Sequence, residues 1–172
     1  MTFAEAFEFC PRCGARRASE AGAIPFHCEA CGFDFFFNPP PATGVLICDR
    51  EDRLLLIERA RDPAKGKLGL PGGFVDPHET IEEAARREAK EEVNLDVHSL
   101  RYLASFPNIY VYKGIDIPVV DLFFTGEVDS FDELSPEEGE VRGWRFYRKN
   151  EIDLDRIAFR SVRSAIQLLQ TI

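Results

Sequence analysis

The sequence predicts an α/β protein in which helices cover both faces of a mixed β-sheet, preceded in the chain by a small zinc ribbon. Three observations favour it: two Cys-x2-Cys pairs near the N-terminus, a series of short strand-like apolar runs, and two amphipathic helical segments. With 172 residues, the chain has room for one sizeable core and one small appendage. We therefore expect the ribbon at residues 1–38 and a larger domain at residues 39–172.

The N-terminal segment carries two cysteine pairs, each followed by a glycine that permits a tight turn: Cys10 and Cys13, then Cys28 and Cys31. The two-residue spacing within each pair suits a tetrahedral Zn²⁺ that has no open coordination position. The alternative is a pair of disulfide bonds, which would need an oxidising compartment. We favour a structural Zn²⁺ held by all four thiolates.

Composition and charge narrow the class of partner. The net charge is -9, and residues 1–40 contain three arginines against five acidic residues, so no basic stripe for nucleic acid is expected. No apolar run approaches the roughly 20 residues that span a bilayer, and residues 1–9 lack an export signal. We therefore expect a cytoplasmic protein without a membrane segment, whose ribbon serves packing or a homodimer.

The remaining elements follow from apolar runs and turn residues. Residues 42–49 and 53–59 flank a polar turn and most simply form a hairpin. Apolar residues at 159, 162, 166 and 169 predict a C-terminal helix, and the acidic segment 129–140 is typical of a mobile loop. The other strands are predicted, in order, at residues 95–104, 109–112, 117–128 and 141–147.

A helix that begins near Ile81 carries the most informative residues. Thr80 and Glu83 form a capping box, which marks the start of a helix. On this helix Glu88 and Glu92 project toward the side that its apolar residues occupy, with Glu91 just beside them.

Carboxylates crowded on the core side of a helix repel one another and are costly to desolvate unless a cation lies among them. Hard oxygen ligands suit Mg²⁺ or Mn²⁺, so we interpret Glu88, Glu91 and Glu92 as metal ligands. The alternative is a solvated charged face, but other charged residues already occupy the opposite side of this helix. Directly before it, Gly72 and Gly73 allow the backbone to approach a metal or phosphate closely.

Residues 73–95 resemble the Nudix box, Gly-x5-Glu-x7-Arg-Glu-apolar-x-Glu-Glu-x-Gly-apolar. Ala89 at an apolar position and Asn94 in place of a glycine depart from it, but neither change removes a ligand, and Asn tolerates a left-handed helix cap. Together with the ribbon, the box resembles the NADH-pyrophosphatase-like branch of the Nudix hydrolases. The matching residues are Gly73, Glu79, Arg87, Glu88, Glu91, Glu92 and Leu95.

The resemblance implies an α/β/α sandwich that hydrolyses the pyrophosphate of a nucleoside diphosphate linked to another moiety, such as ADP-ribose or NADH. It implies metal ions on Glu88, Glu91 and Glu92. It also implies an ion pair between Arg87 and Glu79 that orients the site. The branch's Ser-Gln-Pro-Trp motif is only partly kept, as Ser105-Phe106-Pro107-Asn108, which weakens the case for NADH.

Candidate substrate contacts have weaker support in the sequence. Arg59 is a candidate for the phosphates, together with the backbone at Gly72 and Gly73, while Tyr110 and Tyr112 are candidates for stacking a nucleobase. A solvated loop or ordinary strand packing is the alternative for each side chain. Glu137, Glu138 and Glu140 are candidates for an extra metal ligand, but for these we favour a solvated loop.

Two other classes of function stay open. One is a Nudix-like sensor that binds a nucleotide without cleaving it, although an intact set of box glutamates argues against this reading. The other is an enzyme that processes nucleotide-capped RNA, which a salt-sensitive affinity for RNA would reveal.

Overall fold

The computed structural model describes residues 1–171, and the chain divides into two compact units. The first comprises Met1–Pro39 and Ile109–Val119, and the second comprises Pro40–Asn108 and Val120–Ile172, of which Ile172 lies outside the described residues. Within residues 1–171 the structure has no helix whose length and hydropathy together suit it to crossing a bilayer.

The first unit is built on the cysteine pairs and on phenylalanine rings. Its short strands β1 (Phe26–His27) and β2 (Asp34–Phe35) flank the second cysteine pair and pair antiparallel with each other. The ring of Phe7 stacks on Phe35 at 4.9 Å between centroids, and Phe37 meets Phe35 edge-on at 5.1 Å. Aromatic packing of this kind gives a small module a core that its few aliphatic residues cannot supply.

The second unit contains most of the longer elements. A three-stranded sheet has the order β3-β7-β6, and another has the order β5-β4-β8. The helices are α1 (Ile81–Val93) and α2 (Arg160–Leu169), and two 3-10 turns lie at Lys149–Glu151 and Leu154–Arg156. The strands are β3 (Pro41–Ile47), β4 (Arg53–Arg59), β5 (Leu68–Gly69), β6 (His98–Tyr112), β7 (Ile115–Glu127) and β8 (Val141–Arg148).

The predicted hairpin of residues 42–49 and 53–59 is wrong. The two strands meet only at a single antiparallel bridge, Cys48 to Leu54, and then enter different sheets. β3 instead pairs in parallel with β7, from Pro41 opposite Val120 to Ile47 opposite Gly126. Both strands are buried on both faces, which a solvated two-stranded hairpin does not allow.

The predicted break between residues 104 and 109 is also absent. β6 is continuous from His98 to Tyr112 and passes through Pro107. Because β6 lies at the edge of its sheet, a proline can be accommodated where no neighbouring strand needs its missing N–H.

Alternate residues of the central strands pack against different helices. One cluster contains Leu46, Leu54 and Leu56 with α2, and the other contains Val45, Ile47, Leu55 and Ile57 with α1. Since neighbouring strand residues point to opposite faces, the two helices cover opposite faces of the strands. The predicted α/β/α sandwich with a mixed sheet is thereby confirmed.

Candidate active site

The helix that carries the box glutamates begins and ends as its sequence predicts. Thr80 Oγ1 accepts a hydrogen bond from Glu83 N at 3.2 Å, and Thr80 N donates to Glu83 Oε2 at 2.7 Å. Asn94 ends the helix in the left-handed region, with φ of 55°. Ala84, Ala85 and Ala89 are completely buried, so small side chains let α1 pack closely on the strands beneath it.

Gly72 positions the backbone under Glu92. Its φ is 152°, and an added Cβ would lie 2.8 Å from Gly44 Cα, so only glycine fits. In this conformation Gly72 N donates a hydrogen bond to Glu92 Oε2 at 2.9 Å. We expected this glycine to approach a metal or phosphate; within the protein its contact is a box carboxylate.

Arg87 gathers the neighbouring carboxylates. Its guanidinium donates to Glu79 Oε1 at 2.7 Å and Oε2 at 3.1 Å, to Glu88 Oε1 at 2.9 Å and to Glu91 Oε2 at 3.0 Å. A further bond reaches the carbonyl of Phe74 at 3.1 Å. The hydrogen bonds from Arg87 hold the pKa of Glu79 below its usual value. Arg87 therefore ties the glycine loop, Glu79 and the helix glutamates together.

Burial perturbs the electrostatics of both Glu92 and Glu88. Glu92 is 6% exposed, and burial raises its pKa to about 8 against the hydrogen bond from Gly72. Burial also raises the pKa of Glu88, and the Arg87 contacts oppose this rise. The charges of Glu88 and Glu140 add to the shift at Glu92, whereas Arg59 opposes it. Ionising both of these buried carboxyl groups is costly until a cation joins them.

The free oxygens suit a divalent cation. Within residues 1–171, no protein donor reaches Glu88 Oε2, Glu91 Oε1 or Glu92 Oε1. The three carboxylates are less tightly gathered than the four cysteines of the first unit, because Glu91 is half exposed and turned toward Arg87. A loose set of carboxylates fits Mg²⁺, which keeps several of its own waters.

Glu140 lies closer to this cluster than the sequence led us to expect. We favoured a solvated position, but its side chain is 29% exposed, pairs with Arg61 at 2.5 Å and contributes charge repulsion to both Glu88 and Glu92. Glu137 and Glu138 are exposed, as expected. The sequence signal for Glu140 was its place at the end of the acidic segment, directly before β8.

The candidate substrate residues fall in different places. Arg59 Nε donates to the carbonyl of Pro63 at 2.9 Å, its Cζ lies 5.1 Å from the ring centroid of Phe159, and its charge acts on Glu92. Arg59 thus belongs to the site of the second unit. Tyr110 and Tyr112 belong to the first unit; Tyr110 is half-buried, and Tyr112 is 51% exposed with Lys113 Nζ at 5.3 Å from its ring centroid.

The four cysteines of the first unit form one cluster. All four sulfur atoms lie within 4.8 Å of one another, with Cys10 Sγ 3.8 Å from Cys31 Sγ and Cys13 Sγ 3.7 Å from Cys28 Sγ. Zinc–sulfur bonds of about 2.3 Å in a tetrahedron place sulfurs about 3.8 Å apart. All four are free thiols rather than the disulfides we weighed. The geometry is consistent with a zinc ribbon.

A sandwich of this topology, with carboxylates on the helix that follows a glycine loop, defines a recognised class of domain. The NUDIX domain family model matches residues 38–168, and the chain belongs to the Nudix family.

Its relatives include two differently named kinds of enzyme. The chain is 35% identical over 148 residues to the NAD-capped RNA hydrolase NudC of Chromobacterium violaceum, covering 83% of this chain and 51% of that protein. It is 41% identical over 78 residues to the ADP-ribose pyrophosphatase of Methanocaldococcus jannaschii, covering 44% of this chain and 46% of that protein. The chain thus spans about half the length of these curated relatives.

A solved structure matches over most of both chains. The crystal structure of a NUDIX hydrolase from Nitrosomonas europaea superposes with a TM-score of 0.71 at 28% sequence identity, covering 93% of this chain and 88% of that chain. The Nudix fold predicted from residues 73–95 is confirmed.

Proposed function

We propose that this protein is a divalent-metal-dependent hydrolase that cleaves the pyrophosphate of a nucleoside diphosphate linked to another moiety. The observation that carries the proposal is the state of Glu92. It is a carboxylate that is 6% exposed, held by Gly72 N and surrounded by further negative charge from Glu88 and Glu140. A protein keeps such a costly group where a metal and a phosphate substrate use it.

Glu88, Glu91 and Glu92 would hold Mg²⁺ or Mn²⁺, which when bound neutralises the diphosphate and lowers the pKa of a coordinated water. Arg87 and Glu79 fix the orientation of these carboxylates without entering the reaction. The positive charge of Arg59 acts on Glu92. Its guanidinium would bind a phosphate of the substrate. A carboxylate with a raised pKa is also a stronger base, which makes Glu92 a candidate acceptor for the proton of the attacking water.

For the substrate we propose ADP-ribose or a related dinucleotide. The names of the relatives point to NAD-capped RNA and to ADP-ribose, which share an adenosine diphosphate unit. In this chain Asn108 stands where the branch motif has tryptophan, and its amide donates to Asp121 at 2.9 Å. Without that tryptophan we expect ADP-ribose to be hydrolysed at least as efficiently as NADH.

Processing of NAD-capped RNA is the second candidate function, because a relative at 35% identity bears that name. The net charge of -9 weakens any general attraction to RNA. Comparing NAD-capped RNA with free NAD at two salt concentrations separates the two candidates. A true RNA substrate loses affinity steeply as salt rises, whereas the dinucleotide alone does so much less.

For the first unit we propose that Cys10, Cys13, Cys28 and Cys31 hold one structural Zn²⁺. The sulfur spacing supports this, and four protein thiolates leave no position for substrate. The homodimer and the cytoplasmic location stay predictions from the sequence.

A substrate panel tests the proposed function. ADP-ribose, NADH, a dinucleoside polyphosphate and NAD-capped RNA are each incubated with Mg²⁺, with Mn²⁺ or with EDTA, and pyrophosphate cleavage is read by product chromatography. We expect cleavage only with a metal, and Glu92→Gln should lower turnover by about 100-fold or more. Tight nucleotide binding without cleavage under either metal would instead identify a sensor.

A further inference from the structure

The acidic segment 129–140 is attached to the end of the helix that carries the box glutamates. The segment is irregular, yet its backbone donates two hydrogen bonds to α1. Ser135 N donates to the carbonyl of Val93 at 3.2 Å. Glu137 N donates to the carbonyl of Glu92 at 2.9 Å. Because the last carbonyls of a helix have no partner within it, the segment satisfies groups that α1 leaves open.

Asn94 adds a side-chain hydrogen bond to this attachment. Its Nδ2 donates to the carbonyl of Glu133 at 2.9 Å. Asn94 stands where the Nudix box has glycine, and its φ of 55° lies in the left-handed region that glycine adopts at lower cost. A glycine could end the helix as well, but it has no side chain to make this bond. The asparagine therefore links α1 to segment 129–140 at some cost to the backbone.

Apolar packing holds the turn that Asn94 contacts. Phe131 meets Phe146 edge-on at 4.9 Å between centroids, and Phe131 and Leu134 pack against the core cluster that α1 covers. Leu134 N donates to the carbonyl of Phe131 at 3.1 Å, which closes a turn around Glu133. The carbonyl that Asn94 binds therefore belongs to a turn whose apolar residues are already packed.

The second half of the segment leads to Glu140. The carbonyl of Glu137 accepts a hydrogen bond from Val141 N at 3.1 Å. The carbonyl of Glu140 accepts one from Ala60 N at 2.8 Å. Glu140 follows Glu137 by three residues, which span at most about 10 Å of extended chain. The bond from Glu137 to α1 therefore limits how far Glu140 can move from the helix.

The side chain of Glu140 acts on the box carboxylates. Burial is the main cause of the raised pKa of Glu88 and of Glu92, and the negative charge of Glu140 adds to the rise at both. The same repulsion favours a cation, because affinity for a hard divalent cation increases with the negative charge around its site and with the rigidity of that site.

We propose that Asn94 is a positioning residue: it holds segment 129–140 on α1, keeps Glu140 beside Glu88 and Glu92, and thereby strengthens the binding of a divalent cation. The inference rests on the proposed function, since it concerns the metal site of that reaction. Asn94 acts through Glu140 and not by contact with the reacting groups.

Asn94→Gly tests the proposal, because glycine keeps the left-handed end of α1 and removes the bond to Glu133. The Mg²⁺ concentration for half-maximal hydrolysis of ADP-ribose should rise about 2- to 10-fold, the scale of one neutral hydrogen bond. At saturating Mg²⁺, kcat should stay close to that of the wild type, and so should the melting temperature. An unchanged Mg²⁺ requirement overturns the inference.

Asp52→Gly is the matched control. Asp52 is exposed, has a φ of 58° and pairs with Lys149 Nζ at 2.7 Å. This variant also places glycine at a left-handed position and removes one side-chain contact, but in the turn between β3 and β4. It should leave the Mg²⁺ requirement unchanged.

A double-mutant cycle separates positioning from the ending of the helix. Glu140→Gln should itself raise the Mg²⁺ requirement, since it removes the charge that Asn94 positions. Asn94→Gly should then add little in the Glu140→Gln background. Equal effects of Asn94→Gly in both backgrounds would show that Asn94 acts only through the end of α1, and the inference would fail.

Two readouts without turnover keep the inference distinct from the proposed hydrolysis. In EDTA, the amides of Ser135 and Glu137 should exchange hydrogen with solvent faster in Asn94→Gly than in the wild type. Calorimetric titration with Mn²⁺ should show binding about 2- to 10-fold weaker. Unchanged exchange or unchanged Mn²⁺ affinity overturns the inference. Faster exchange and weaker Mn²⁺ binding in a protein that hydrolyses no substrate would uphold it while the proposed function fails.

Discussion

The carboxylate of Glu88 lies directly against the backbone of Gly73. A Cβ added at Gly73 would be 2.7 Å from Glu88 Cδ, which is closer than real side chains approach. Gly73 does not have a positive φ, so its backbone conformation is open to other residues. What excludes a side chain at this position is therefore the metal-binding candidate itself.

The first prediction is that Gly73→Ala displaces Glu88 and lowers kcat by about 10- to 100-fold, since misplacing a functional group by about 1 Å costs on this scale. The melting temperature should change little, because the backbone accepts alanine. Gly69→Ala is the control: an added Cβ there meets nothing within 4 Å. Wild-type turnover in Gly73→Ala would show that the position of Glu88 does not matter.

Arg87→Lys should impair metal activation although it keeps the charge. Lysine cannot reproduce the paired bonds to Glu79 and the separate bonds to Glu88 and Glu91. Loss of such a supporting residue typically costs about 10- to 100-fold in metal affinity or activity. The measurement is the Mg²⁺ concentration for half-maximal rate. Arg86→Lys, at an exposed position where the guanidinium donates to the Glu82 carbonyl, should leave that concentration unchanged.

Stability should depend on pH through Glu92. Its pKa is about 8 in the folded protein against an ordinary value of 4.5, so the folded state binds more protons than the unfolded state between these values. The metal-free protein should therefore lose stability as pH rises from about 5 to about 8.5. Glu92→Gln should remove the loss of stability that comes from ionising Glu92. At alkaline pH this variant should melt several degrees higher than wild type, since 1 kcal/mol corresponds to about 2–4 °C in a domain of this size.

Added Mg²⁺ provides the control for this experiment. A bound cation favours the ionised carboxylate, so Mg²⁺ should raise the melting temperature of the wild type more at alkaline than at acidic pH. The same addition should have a smaller effect on Glu92→Gln. If the wild type and Glu92→Gln show the same pH dependence in EDTA, the burial of Glu92 does not have the electrostatic consequence inferred from it.

Elemental analysis of the purified protein should find one Zn²⁺ per chain, and Cys13→Ser should lose it. The first unit should then melt earlier, because its core includes two of the cysteines, Cys10 and Cys28, beside Phe26. Ser19→Ala, in the loop between the two cysteine pairs, is the control and should retain zinc. Full stability in a zinc-free Cys13→Ser protein would contradict a structural role for the metal.

The sequence determined what depends on short stretches of chain. The start of α1 at Ile81, its left-handed end at Asn94 and the shared side of Glu88 and Glu92 follow from capping chemistry and helical periodicity within about 20 residues. The spacing of Cys10, Cys13, Cys28 and Cys31 likewise predicted one cluster. These features are local, so a single sequence is sufficient to predict them.

Tertiary structure decided what joins distant segments. The parallel pairing of β3 with β7 replaced the expected hairpin, because burial on both faces, not proximity in the chain, selects the partner of a strand. The same packing brought Glu140 toward Glu88 and Glu92. It also brought Ser161 onto Asp121 across 40 positions of sequence. The only trace of that last contact in the sequence is an aspartate within an apolar run, and its partners are chosen by the sheet and helix that pack around it.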